Sequence, residues 1–428
     1  MATQLIVEPA AIEELGLDPG LLTDLALKTV FFRGRLTRAE LSDALKLSAS
    51  VTQDLMQALT LDGLASVLGA ESGTPSNYMY TLTGKGAERA EAALGRSGYV
   101  GPAPVPLREY IAHVRQQSIG DVVVTREQVL RSMRGLVLAE QTLTRIGRAA
   151  SSRKSTLIYG PSGNGKTTAV RAVGAAIEGA IDIPFAVEMM GHIVHLYDPS
   201  KHQPAGDDEA GDGDLLRVRR DRRWARVRRP VIWAGGELTR HSLELVYDDN
   251  TKVYEAPLQL KANGGTLIID DFGRQQIPAV QLLNRWIVAL EGGIDHLTLH
   301  TGQTIEVPFD VLILFSTNLP PEQLADEAFL RRIRYKVEIP NPTPDDYRAI
   351  FRLECASRDL PYDDAAVTHL LDRWYGRQSR EMRGCHPRDI VEAIVDAAQY
   401  EQHDPLLSIE AIDEACATYF LTPLNAPG

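Results

Sequence analysis

The chain has 428 residues, of which 44% are apolar and 24% charged, with a net charge of −12. That length allows two or three domains of ordinary size, and the negative balance excludes a global attraction to nucleic acid or anionic lipid. Cys355, Cys385 and Cys416 lack metal-ligand spacing and cannot all pair, which fits a reducing compartment.

Met1 to Gly16 has no basic segment followed by a long apolar one, so it does not read as a signal peptide. No apolar run reaches the roughly 18 residues that span a bilayer. A cytoplasmic protein with no membrane span is expected. Leu21 to Phe32 carries apolar residues at helical spacing. Thr37-Arg38-Ala39-Glu40 is a capping box that starts a second helix through Leu45, and Ser50-Val51-Thr52-Gln53 starts a third through Leu61. The alternating stretch Leu64–Leu68, the turn-rich residues 69–77 and Tyr78–Leu82 predict a β-ribbon, followed by a helix after Thr83. Three helices, a ribbon and a helix over residues 1–95 resemble a winged-helix domain. Such domains often bind DNA through the third helix. Here that helix has no Lys or Arg and carries Asp54, and the wing between Gly69 and Asn77 has no basic residue and carries Glu71. Residues 1–95 hold seven Lys/Arg against twelve Asp/Glu. DNA affinity rests on phosphate neutralisation, so protein docking is the favoured role.

Residues 96–106 are rich in Gly and Pro and read as a linker. From Pro106 to Ser152 the pattern is helical and amphipathic. Gly160-Pro161-Ser162-Gly163-Asn164-Gly165-Lys166-Thr167 then matches the phosphate-binding loop G-x-x-x-x-G-K-[ST]. It lies between an expected buried strand, Thr156–Tyr159, and an expected helix, Thr168–Glu178. Backbone amides of such a loop wrap the phosphates at a helix N-terminus. ATP is the expected ligand, with Lys166 on the β- and γ-phosphates and the Thr167 hydroxyl on Mg²⁺.

Four later segments complete the chemistry. Gly264–Asp271 is an apolar strand ending in two carboxylates. It resembles a Walker B motif, in which Asp270 holds Mg²⁺ and Asp271 orients or deprotonates the attacking water. Asp is one methylene shorter than the Glu more often found at the second position. Val311–Asn318 is a second buried strand ending in an amide. It resembles the sensor 1 of AAA+ ATPases, with Asn318 positioning the water. Asp326–Ile333 resembles the segment that presents an arginine finger, Arg331 or Arg332, to a neighbour's ATP. His386-Pro387-Arg388-Asp389-Ile390 starts a helix and resembles sensor 2, with Arg388 the lid arginine.

In this order the motifs resemble an α/β P-loop NTPase of the AAA+ class: core 107–342, then a helical lid over 343–428. Gly-Gly-Thr-Leu before the acidic pair, and Thr298–Val307 before sensor 1, are similar to the bacterial enhancer-binding activators. There a hairpin precedes the sensor strand and inserted loops touch the substrate. Gly235-Gly236-Glu237-Leu238-Thr239 occupies the comparable region without matching their signature loop. The whole chain, including Tyr99–Pro106, resembles a bacterial AAA+ family described as predicted ATPases with chaperone-like activity, linked to Flp pilus assembly.

The insert over 207–229 has an acidic block (Asp207, Asp208, Glu209, Asp212, Asp214), then Arg217, Arg219, Arg220, Arg222, Arg223, Arg226, Arg228 and Arg229 opposed by Asp221. It reads either as a solvated, self-neutralising face or as a mobile loop that contacts an acidic partner or nucleic acid, with Trp224 stacking on a base. The leading expectation is an ATP hydrolase in a homo-oligomeric, expected hexameric, ring that remodels or assembles a protein partner. The alternatives are a DNA-binding regulator and a nucleotide-gated switch with slow hydrolysis.

Overall fold

The computed structural model of the chain describes residues 5–70, 78–206, 219–324 and 327–420. Helix α1 (Pro19–Arg33) begins where the Asp18 carboxylate accepts from Gly20 N at 2.9 Å, with Pro19 in its first turn. After β1 (Arg35–Thr37), α2 (Arg38–Leu45) starts on the expected reciprocal box of Thr37 and Glu40. Helix α3 (Ala49–Leu61) is capped by Ser48, whose hydroxyl accepts from Val51 N at 3.3 Å. The expected cap at Ser50 does not form, because its hydroxyl donates instead to the carbonyl of Ala10 at 2.9 Å. Strands β2 (Ala65–Ala70) and β3 (Tyr78–Leu82) pair antiparallel, β1 joins the free side of β3, and α4 (Gly84–Arg96) closes the unit. Leu22, Leu25, Leu41, Leu55 and Leu59 fill its core. Most of the expected wing, including Glu71, lies outside the described residues.

The Gly/Pro segment is no free tether. Tyr99 is buried and donates its hydroxyl to the Pro102 carbonyl at 2.8 Å, and Ala103 N donates to Leu45 O at 2.8 Å. Strand β4 (Val105–Pro106) then pairs in parallel with Ala186–Met189. Composition correctly forbids a helix here, but the segment is a strap that binds the N-terminal unit to the rest.

Helices α5 (Leu107–Gln116), α6 (Arg126–Ser132) and α7 (Glu140–Ser152) lead into β5 (Thr156–Tyr159) and α8 (Lys166–Ala175). An inserted β-layer follows: β6 (Ala180–Pro184), β7 (Ala186–Met189), β8 (His192–His195) and β9 (Trp224–Arg228). After β10 (Val231–Ala234) it is completed by β11 (Val246–Asp248) and β12 (Val253–Glu255). Then come α9 (Leu258–Lys261), β13 (Thr266–Ile269), α10 (Ala279–Gly292), the ribbon β14 (Ile294–Thr298) with β15 (Thr304–Pro308), and β16 (Leu312–Thr317). Short α11 (Pro321–Leu324) and α12 (Glu327–Leu330) precede β17 (Tyr335–Glu338). The lid is α13 (Pro344–Ala356), α14 (Asp364–Leu370), α15 (His386–Glu401) and α16 (Ile409–Tyr419).

The central sheet is parallel, in the order β10-β13-β16-β5-β17. Every residue of β13 and β16 is buried, which is why both read as unbroken apolar runs. The inserted layer forms a second sheet, β11-β12-β8-β7-β4, and a β6–β9 ribbon. It also holds the tip of the β14–β15 hairpin: the His300 ring stacks on Tyr247 with centroids 4.0 Å apart, and Tyr254 shares a hydrogen bond with His300 Nδ1. No helix among the described residues is long and apolar enough to cross a membrane.

The arginine-rich stretch is corrected most. Its acidic block and Arg217 lie outside the described residues, but residues 219–229 do not form a mobile basic loop. Arg223 is 1% exposed and is gripped by the equally buried Asp221 at 2.8–3.1 Å. Arg220 and Arg226 both pair with Asp182. Arg222 reaches Ser42 Oγ at 2.8 Å and Glu8 at 3.3 Å, tying the N-terminal unit down, and Arg229 bonds the carbonyls of Gln117 and Gly264. Trp224 is buried against His113, with ring centroids 4.7 Å apart, so it cannot stack on a base. Five of its seven arginines are thus engaged inside the molecule, while Arg219 and Arg228 lie exposed. Asp221→Ala would leave the buried Arg223 with only the more distant Glu109 carboxylate at 3.3 Å, and is expected to cost about 3 kcal/mol of stability, readable as a lowered urea midpoint.

Candidate functional site

The Gly160–Thr167 loop turns between β5 and α8. Gly163 has a φ of +81°, and a Cβ there would lie 2.5 Å from Cys385 Sγ in the lid. Glycine is thus required both for backbone conformation and for close approach. Helix α8 starts at Lys166, two residues earlier than expected, because Gly165 supplies the left-handed turn before it, and it ends at Ala175. Gly160, Pro161 and Ser162 form the first half of the loop. Thr167 and Thr168 are exposed on the first turn of α8.

Four of the side chains that the sequence singles out, Thr167, Asp270, Asp271 and Asn318, converge at the C-terminal ends of three adjacent strands. Thr167 Oγ1 donates to Asp270 Oδ1 at 3.2 Å, and the Ser316 hydroxyl donates to the same carboxylate. Asn318 Nδ2 donates to Asp271 Oδ1 at 3.3 Å. Sequence reading did not single out Ser316. Its position, two residues before Asn318 at the end of the same apolar run, was the available signal, since side chains two apart along an extended chain share a face. Asp271 has a φ of +50°, in the left-handed region that non-glycine residues rarely occupy, and its carboxylate stays exposed. Lys166 is buried and donates to the Pro161 carbonyl at 2.8 Å. Burial lowers its pKa, and Asp271 and Asp270 oppose that shift. Thr167 Oγ1 and Asp270 Oδ1 are hard oxygen donors suited to Mg²⁺.

The lid reaches this loop through residues 381–385. Arg388 points elsewhere: it is 57% exposed and pairs with Asp389 at 2.8 Å. Arg383 is the lid cation whose charge is felt at Lys166. It packs its Cβ against the position that a Gly163 side chain would take. Sequence reading missed it because it lies before the helix rather than in its first turn.

Arg331 and Arg332 lie at the opposite end of the sheet. With Arg153, Lys154 and Arg334 they line a cleft of about 860 Å³ before the starts of β5, β16 and β17. Arg331 is 75% exposed and bonds Glu327, four residues earlier, at 2.7 Å. Arg332 is 30% exposed and bonds Glu291 at 2.7 Å.

Behind the lid contact runs a buried chain of hydroxyls. Tyr347 bonds Tyr375, and Tyr375 bonds His386 Nδ1, each at 2.8 Å. Burial, helped by the Arg383 and Arg380 charges and opposed by Asp389, holds the His386 pKa down at about 4. The unfolded chain binds that proton near pH 6.5, so this contribution to stability is complete above pH 6.5 and is lost as pH falls towards 4. The thermal midpoint of the wild type is therefore expected to fall more steeply over that window than that of His386→Gln.

Residues 343–418, which span most of the lid, match a domain family described as a domain of unknown function (DUF8689). No curated protein matches the chain in sequence. Similar solved structures include NtrX from Brucella abortus in complex with ATP, 16% identical, with a TM-score of 0.43 over 71% of this chain and 59% of that one. The same protein in complex with ADP is 17% identical, with a TM-score of 0.42 over the same shares. The Holliday junction branch migration motor RuvB of Thermotoga maritima is 13% identical, with a TM-score of 0.37 over 66% of this chain and 70% of that one. The chain thus spans 59% of the length of those NtrX chains.

Proposed function

We propose that this chain is an AAA+ ATPase that binds and hydrolyses Mg-ATP at Gly160–Thr167 and uses the energy to remodel or assemble a protein partner. The observation that carries this reading is the meeting of Thr167 and Ser316 on Asp270, with Asn318 on Asp271 beside it. Those five residues come from the loop after β5 and the ends of β13 and β16, which neighbour one another in the sheet. Magnesium held by Thr167 and Asp270 would neutralise charge on the phosphate oxygens. Asp271 is the base or orienter for the attacking water, Asn318 fixes that water, and Lys166 contacts the phosphates. Arg383, rather than the expected Arg388, serves as the lid cation.

The finger must act in trans. Arg331 sits before the four-residue strand β5 and the phosphate loop follows it, a separation of about 13 Å at 3.3 Å per residue. A ring of identical subunits, expected to be a hexamer, brings Arg331 of one copy to the ATP of the next. The order of helices and strands in residues 19–96 supports the winged-helix reading, and its acidic charge supports a protein partner. The engaged arginines and the buried Trp224 count against nucleic acid. The left-handed Asp271 favours a second reading, a nucleotide-gated switch with slow turnover.

The test traps the partner-bound state. Asp271→Asn should bind Mg-ATP, fail to hydrolyse it and form larger assemblies by light scattering. An Asp271→Asn protein that turns over ATP like the wild type, or a wild type that stays monomeric in saturating Mg-ATP, would sink the proposal. A wild type that binds ATP and assembles but barely hydrolyses it would select the switch.

A further inference from the structure

Asn164 occupies a position in the phosphate loop where the motif allows any residue, yet it is 6% exposed and its three side-chain hydrogen bonds go to the hinge and the lid. Its Nδ2 donates to the Pro340 carbonyl at 3.1 Å and to Asn341 Oδ1 at 2.8 Å. Its Oδ1 accepts from Gly384 N at 2.9 Å. Pro340 and Asn341 form the hinge between β17 and α13, and Gly384 lies just before α15. One amide thus joins the loop, the hinge and the lid. Asn341 Nδ2 extends the chain to Glu381 of the lid at 3.3 Å. The amide needs both of its functions here: a hydroxyl side chain is too short, and a carboxylate cannot donate.

We infer that Asn164 is the positioning residue that couples occupancy of the phosphate loop to the lid, an inference that rests on the ATPase reading. The peptide that carries this side chain belongs to the loop that closes on phosphate. A shift of that peptide moves Oδ1 and Nδ2 together, and both the hinge and residue 384 must follow or lose a buried bond. The close approach of Gly163 to Cys385 makes the contact unable to slide, because nothing larger than hydrogen fits between them. The lid therefore moves with the loop as one body, and release of the phosphate frees both.

Hydrogen exchange on the full-length chain, with and without Mg-ADP and a slowly hydrolysed ATP analogue, tests the coupling. In the wild type, nucleotide should protect peptides of both the loop (160–175) and the lid (343–401). Asn164→Ala should bind nucleotide within about threefold of the wild type and keep the loop protection. It should lose at least about half of the lid response, and its kcat should fall about tenfold with little change in KM. Asn341→Ala removes one partner without touching the loop, and should shift the lid response in the same direction by a smaller amount. Unchanged lid responses in both variants would overturn the coupling. A wild type that binds no nucleotide would overturn the ATPase reading itself, and with it this inference.

Discussion

Arg331→Ala is expected to lower ATP turnover by about 10³-fold while leaving ATP affinity nearly intact, since a finger arginine contributes 10³–10⁵ to phosphoryl transfer and acts only once charge develops. The side chain is 75% exposed, and the Glu327 contact that restrains it is a surface i,i+4 pair of about 0.3–0.5 kcal/mol. It can leave that contact at little cost. Arg332 is less exposed, bonds Glu291, and gives its backbone carbonyl to the Ser155 hydroxyl at 3.1 Å. Its replacement should lower turnover less and stability more. If the finger acts on a neighbour as proposed, mixing Arg331→Ala with Lys166→Ala subunits should restore activity: the second variant supplies fingers to the intact sites of the first. Full turnover by the Arg331→Ala/Arg332→Ala double variant would remove both residues from the reaction.

Asp270→Ala should be nearly as damaging, by a different route. It removes the acceptor shared by Thr167 and Ser316, and with it the proposed charged ligand of magnesium. Turnover should fall on the order of 10²–10³-fold, since a bound metal supplies several kcal/mol of charge stabilisation. Magnesium should no longer strengthen ATP binding, which separates this variant from Arg331→Ala. Titration of a fluorescent ATP analogue with and without magnesium reads the difference. A normal magnesium dependence in Asp270→Ala would mean that another carboxylate holds the cation.

The meeting of Thr167, Asp270, Asp271 and Asn318 could be anticipated from the sequence because its signals are local. The phosphate loop, the acidic pair and Asn318 each sit at the end of a short apolar run, and a parallel sheet brings such ends together. A helix-rich lid was expected there, and its first helix starts on a local signal that sequence reading did not use, the Thr343–Asp346 box with Pro344 in the first turn. What could not be read is whatever depends on a distant partner. Arg223 looks solvated until Asp221 and Glu109 are seen around it. Tyr99 looks like a linker residue until Ala103 is seen bonded to Leu45. Arg383 and Asn164 matter through the lid lying on the loop, a contact across about 220 residues of chain that no periodicity or cap records.

The strap over residues 97–106 carries a consequence for how the chain tolerates cutting. Strand β4 covers one side of β7, and Pro106 at its end has no amide hydrogen to offer a further strand. A shortened protein beginning at Leu107 would uncover β7, with Val187 and Met189 buried on it and its backbone groups unpaired. Such an edge recruits strands from other molecules, so the N-terminal unit and its strap also act as a guard against self-association of the β-layer.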